Sequence, residues 1–169
     1  MKKTRPILAA AAVAAALAVG TVAYVATASG ERVPSVGYTL LDGSRGDTGR
    51  LQGKVVLINF WATSCTTCVH EMPQIAALHR KYSARGFDTL AVAMSYDPPA
   101  YVVRYAETRG LPFGVAIDNT GAIARSFGGV QATPTSLLVN KRGEIVKRFV
   151  GEPDFAALHK LVEKLLAEA

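Results

Sequence analysis

Lys54-Val55-Val56-Leu57-Ile58-Asn59-Phe60-Trp61-Ala62-Thr63-Ser64-Cys65-Thr66-Thr67-Cys68 is the stretch on which the fold of this 169-residue chain turns. Lys54 to Phe60 is a nearly continuous apolar run, as a strand buried on both faces shows. It leads straight into Cys65 and Cys68, the only two cysteines of the chain. A disulfide between residues three apart closes so small a loop that chain entropy gives it only about 2 kcal/mol. A structural staple belongs elsewhere. Two thiols at the first turn of a helix also meet the positive end of the helix dipole, which favours thiolate. The pair reads as one that opens and closes.

Other uses of two cysteines fit less well. Structural zinc takes four ligands, and no second Cys pair or Cys/His pair is present. Covalent haem attachment needs His directly after the second Cys, whereas Val69 stands there and His70 comes one place late. Buried inert thiols sit poorly beside Thr63, Ser64, Thr66 and Thr67, which are small and polar.

Outward from this site the pattern continues as strand, helix, strand. Met72, Ile75, Ala76, Leu78 and Tyr82 recur at helical spacing, Arg85-Gly86 closes the segment, and Phe87 to Met94 reads as the next strand. Such a βαβ unit implies a parallel pair with a right-handed crossover. A helix from Pro98 or Pro99 to Arg109, a strand from Phe113 to Ile117 and a short helix from Thr120 to Phe127 follow. Thr135 to Val139 and Glu144 to Val150 flank Asn140-Lys141-Arg142-Gly143, an antiparallel hairpin, and Asp154 to Glu168 is a terminal amphipathic helix. Ahead of the site, Tyr38 to Leu41 reads as a short strand entering the Asp42-Gly43 turn, and Ser44 to Gly53 as a loop.

The first residues stand apart. Lys2, Lys3 and Arg5 precede an unbroken apolar run from Ile7 to about Ala26, and Ala26-Thr27-Ala28 also reads as a cleavage site. An apolar stretch of about 20 residues can span a bilayer, so a retained signal anchor at 1–28 is expected ahead of cleavage near Ala28. A tether at 29–35 and one domain at 36–169 complete the organisation. The positive-inside rule places that domain on the outer, periplasmic side of the bacterial inner membrane. The net charge of +6 falls to +3 from residue 29 onward. With no Lys/Arg run interleaved with aromatics, nucleic acid is not an expected partner.

A βαβ half with Cys-x-x-Cys at its strand-helix junction, followed by a Pro and a ββα half, resembles the thioredoxin-like α/β fold, a mixed central sheet flanked by helices. Phe60-Trp61-Ala62-Thr63, Glu71-Met72-Pro73 and Ala132-Thr133-Pro134-Thr135 resemble the exported TlpA/ResA-like thiol-disulfide reductases, from about Pro34 to the C-terminus. Tyr96 to Val130 resembles the insert of that family. Two departures stand out: Ser64 where the family most often has Trp, and Asn59 where thioredoxin has a buried Asp.

The resemblance implies roles. Cys65, at the helix tip, is the attacking thiol, and Cys68, one turn in, resolves the mixed disulfide. Glu71 lies one further turn along the same face, a proton carrier for Cys68 or else a solvated carboxylate. Pro134 resembles the cis-Pro of the fold, which leaves the backbone of Thr133 to pair with an extended substrate. Trp61 is either core or a wall of the site. His70, His79 and His159 read as exposed helix residues. The implied activity is reduction of disulfides in exported proteins, apocytochrome c among them, with re-reduction by a membrane donor of the DsbD/CcdA type. No metal or cofactor is expected beyond the Cys65-Cys68 disulfide itself. The alternatives are a copper-binding chaperone of the same fold and a disulfide-forming oxidant.

Overall fold

The computed structural model describes residues 30–168, and the expected anchor at 1–28 lies outside the described residues. In chain order the elements are β1 (Glu31–Arg32), β2 (Gly37–Thr39), β3 (Arg45–Asp47), β4 (Val55–Trp61), α1 (Thr66–Tyr82), β5 (Phe87–Ala93), α2 (Pro99–Arg109), β6 (Gly114–Ile117), α3 (Ala122–Ser126), β7 (Thr135–Val139), β8 (Glu144–Val150) and α4 (Phe155–Ala167). Six strands form one sheet in the order β1-β8-β7-β4-β5-β6. β4, β5 and β6 run parallel, as the intervening helices require, whereas on the other side of β4 β7 pairs with it antiparallel and β8 pairs antiparallel with β7.

The apolar run explains why β4 is central, since all seven of its residues are buried. Successive side chains point to opposite faces. Val56, Ile58 and Phe60 join Val92, Phe127 and Leu137 in the core on one side. Val55 and Leu57 join Leu78 and Tyr82 of α1 and Leu158 and Val162 of α4 on the other. Each such buried side chain contributes on the order of 2 kcal/mol. Asn59 and Trp61 follow Val55 and Leu57 in this alternation, so β4 delivers both toward the α1 face, where the cysteine pair lies.

Two short elements depart from the reading of the sequence. Glu31 and Arg32, expected in a tether, pair with Ile145 and Glu144 on the edge of β8, and Val33 N donates to Gly143 O at 2.9 Å. The loop read at Ser44 to Gly53 contains β3, which closes a hairpin with β2. Gly46 leaves room for the Tyr38 ring, which lies over it, so a Cβ there would push the ring aside.

Candidate active site

At the end of β4 the chain turns through Ala62 to Ser64, and α1 begins at Thr66. Cys65 is the N-cap of that helix: its backbone is extended, and its Sγ accepts from the Cys68 N–H at 3.1 Å. The sulfur thus meets one of the donors that the first helical turn leaves unpaired. Cys65 and Cys68 are joined by a disulfide with Cα atoms 5.2 Å apart. Cys65 is half-buried, whereas Cys68 is fully buried against Trp61 and Met72.

The turn before Cys65 is held by a residue that the sequence did not single out. Asp97, buried beyond the end of β5, accepts from Thr63 N and from Thr63 Oγ1, both at 2.6 Å. Charge-assisted bonds of this kind are roughly twice as strong as neutral ones. They fix the loop bearing the sulfur to the parallel half of the sheet.

Beneath the disulfide lies a polar group in an apolar setting. Glu71, one turn beyond Cys68 on α1, is fully buried, so it is not the solvated carboxylate that was the alternative. Its Oε1 accepts from Asn59 Nδ2 at 2.9 Å, and the same amide nitrogen donates to Ser136 Oγ of β7 at 2.9 Å. Oε2 of Glu71, Oδ1 of Asn59 and Nε1 of Trp61 have no hydrogen-bond partner among the described residues. Burial disfavours the charged carboxylate and raises the Glu71 pKa to about 7, the Asn59 hydrogen bond opposing and the negative charge of Glu152 assisting. A carboxyl so placed changes charge near neutrality.

The Thr133-Pro134 peptide bond is cis. Pro134 is buried, its carbonyl accepts from Gly151 N at 2.8 Å, and Val150 beside it is 69% exposed. Thr133 is half-buried, and its Oγ1 shares a 3.2 Å hydrogen bond with the hydroxyl of the exposed Tyr96.

Trp61 is core: it is fully buried, its ring 5.2 Å from that of Tyr105, so it backs the disulfide and cannot touch substrate as a wall of the site would. Among the histidines, only His70 has the exposed position expected, with Nδ1 3.2 Å from Glu152 Oε2. His79 is buried against Phe87 and Phe113, because position 79 adjoins the apolar stripe of α1; desolvation lowers its pKa. His159 is half-buried on Tyr82.

Ser136 and Asp97 are the polar residues that sequence reasoning missed. Ser136 left a faint signal as a hydroxyl inside an otherwise apolar strand. Asp97 left none, since its partner is 34 residues away.

Comparison with known proteins places this geometry. The Redoxin family model matches residues 28–163. The thiol-disulfide oxidoreductase ResA of Halalkalibacterium halodurans is 31% identical over 141 residues, which cover 83% of this chain and 79% of that protein. The protein of the same name from Bacillus anthracis is 34% identical over 136 residues, covering 80% and 78%. Among solved structures, a putative thioredoxin from Neisseria meningitidis superposes with a TM-score of 0.76 at 40% identity, covering 82% of this chain and 93% of that one. A putative thiol:disulfide interchange protein DsbE from Chlorobium tepidum gives 0.75 at 27% identity, covering 82% and 98%. The cysteine pair at the helix tip and the cis-proline thus stand on a shared fold over most of the chain, and the protein belongs to the Redoxin family as a ResA-like thiol-disulfide oxidoreductase of the thioredoxin superfamily.

Proposed function

We propose that this protein is an exported reductase that opens disulfides in proteins on the periplasmic side of the inner membrane. The observation that carries the exchange chemistry is the buried Glu71 carboxyl one turn from the buried Cys68, placed to take the proton that Cys68 must lose. A carboxyl whose pKa lies at about 7 can accept that proton and return it within one cycle at neutral pH. The reducing direction is what the likeness of Glu71-Met72-Pro73 and Ala132-Thr133-Pro134-Thr135 to the TlpA/ResA-like reductases implies. In the cycle, the Cys65 thiolate attacks one substrate sulfur, the substrate S–S bond breaks, and the departing thiolate takes up a proton. Cys68, its proton passed to Glu71, then attacks Cys65 Sγ and expels the second substrate thiolate. The substrate gains two electrons, and the Cys65-Cys68 disulfide is re-formed.

The disulfide is the redox centre, and no further cofactor takes part. In an oxidising compartment it must be re-reduced by a dedicated dithiol donor, a membrane protein of the DsbD/CcdA type. Exported disulfide-bearing proteins are the substrates, apocytochrome c among them. Thr133 and the cis-Pro134 offer backbone for an extended substrate to pair with. The copper-chaperone alternative requires a histidine turned to the cysteines, whereas His70 turns its Nδ1 to Glu152.

The reduction potential of the Cys65-Cys68 couple, measured against glutathione and thioredoxin standards, tests the direction. A value near or below that of thioredoxin, about −270 mV, is expected; one near −120 mV would instead mark an oxidant. The N-terminal segment is retained as an anchor, on the strength of Lys2, Lys3 and Arg5 ahead of its long apolar run. The mature protein from a bacterial host is therefore expected to keep residues 1–28 and to sediment with membranes. N-terminal sequencing that begins at Ser29 would show a cleaved, freely soluble product.

A further inference from the structure

Helix α2 buries only Val102 and Ala106, which leaves most of its circumference to solvent. Beside that narrow buried stripe runs a second one, Tyr101, Arg104, Tyr105 and Thr108, at the spacing i, i+3, i+4, i+7 that aligns side chains on one face. With Thr63 and Arg109 these residues line a groove of about 370 Å³. Tyr101 is 62% exposed, and Arg104 and Arg109 bring two positive charges while the lining has no carboxylate. Among the described residues neither arginine forms an ion pair. The Arg109 guanidinium lies 5.7 Å from the Tyr105 ring centroid, which gives the groove a cationic, aromatic wall.

The groove adjoins the redox centre. Thr63, at its edge, is two residues from Cys65, and Tyr105, in its wall, rests on Trp61, which packs against Cys68. Two residues of extended chain reach at most about 7 Å, and seven residues of helix from Tyr101 to Thr108 rise about 10 Å. A polypeptide crossing Cys65 would therefore lay side chains roughly two to five residues from its own cysteine in this groove.

We infer that the α2 groove is a docking surface for the substrate polypeptide, and that it selects segments carrying Asp or Glu a few residues from the disulfide cysteine. The inference rests on the reading of the protein as a disulfide reductase and names the class of substrate it prefers. The charge of the arginines selects the carboxylate, and the tyrosine faces contribute contact area at little cost in side-chain entropy.

Two arms of one experiment separate this inference from the reading beneath it. In the first, fluorescein-labelled peptides with Asp, Ser or Lys three and four residues from a methyl-blocked cysteine are titrated into the oxidised protein, and anisotropy reports binding without any redox step. Tighter binding of the Asp peptide than of the Lys peptide is expected, by about 5-fold, the effect of two exposed ion pairs. The double variant Arg104→Glu, Arg109→Glu should invert that order, and added salt should shrink it in both proteins. Tyr101→Ala should weaken all three peptides alike. Equal binding of the three peptides by wild type, or an order that the double variant leaves unchanged, would overturn the inference. So would loss, in the double variant, of sedimentation with phosphatidylglycerol vesicles while peptide binding stays as in wild type, since the groove would then serve a lipid surface. In the second arm, turnover of 2-hydroxyethyl disulfide by wild type with a dithiol donor tests the reductase reading by itself.

Discussion

Cys65→Ser should reduce disulfide exchange to the uncatalysed background, whereas Cys68→Ser should leave a protein that captures its substrates as lasting mixed disulfides. The asymmetry follows from where β4 and α1 leave the two sulfurs. Cys65 caps the helix, with its Sγ within hydrogen-bond reach of the first-turn N–H of Cys68 and partial access to solvent. A thiolate there gains both from that donor and from the helix dipole. Cys68 has no exposed surface, so an incoming disulfide cannot reach it, yet it faces Cys65 closely enough to resolve a bond formed there. Alkylation of the reduced wild type with limiting reagent, followed by peptide mapping, should label Cys65 almost alone. Predominant label on Cys68 would reverse the assignment.

Glu71→Gln has the next largest expected effect, and it shows in two measurements. The first is kinetic. With its proton acceptor replaced by an amide, Cys68 must lose its proton to water, and exchange should slow by about 10-fold or more, the low end for a lost general base. The thiol titration should shift as well, because carboxyl and thiol in one buried site titrate as a coupled pair. Rates and profiles identical to wild type from about pH 5 to about pH 10, the span of reference carboxyl and thiol behaviour, would remove Glu71 from the reaction.

The second measurement is stability. Unfolded, Glu71 titrates near its ordinary value of 4.5; in the folded protein burial raises this to about 7. Between those values the folded chain holds a proton that the unfolded chain has released, so stability falls as pH rises through this interval and levels off above it. The loss amounts to roughly 3 kcal/mol. Denaturant unfolding of the oxidised wild type at about pH 5 and about pH 8 should show this decline. Glu71→Gln, which keeps a carbonyl for Asn59 Nδ2, should lack most of it.

The residues that carried the fold in the sequence were those whose partners repeat at a fixed period. The apolar run of β4, the helical stripe of α1 and the bounds of β7 and β8 were legible because strand alternation and helical spacing are local signals. Glu71 could be placed on the face of the cysteines by the same spacing, and the family motif supplied Pro134. What stayed hidden depended on contacts distant in the chain. β1 and β3 are two and three residues of mostly polar sequence, and they are strands only because β8 and β2 present edges to them. Asn59 was conspicuous as a polar residue in an apolar run, and its inability to carry a proton was legible. Its role as the donor that holds Glu71 was not, because that requires knowing that α1 packs over this face of β4.

The two bonds from Thr63 to Asp97 bear on what happens between turnovers. Opening the disulfide removes the covalent tie between Cys65 and Cys68, and a loop held by that tie alone would then drift. Here the loop is moored on the other side, through backbone and hydroxyl together, to a carboxylate at the end of β5. The mooring involves neither sulfur, so breaking the S–S bond removes no part of it. The reduced enzyme therefore meets its next substrate with the nucleophile already in place, and the entropy of ordering that loop is met once, in folding, and not again in every cycle.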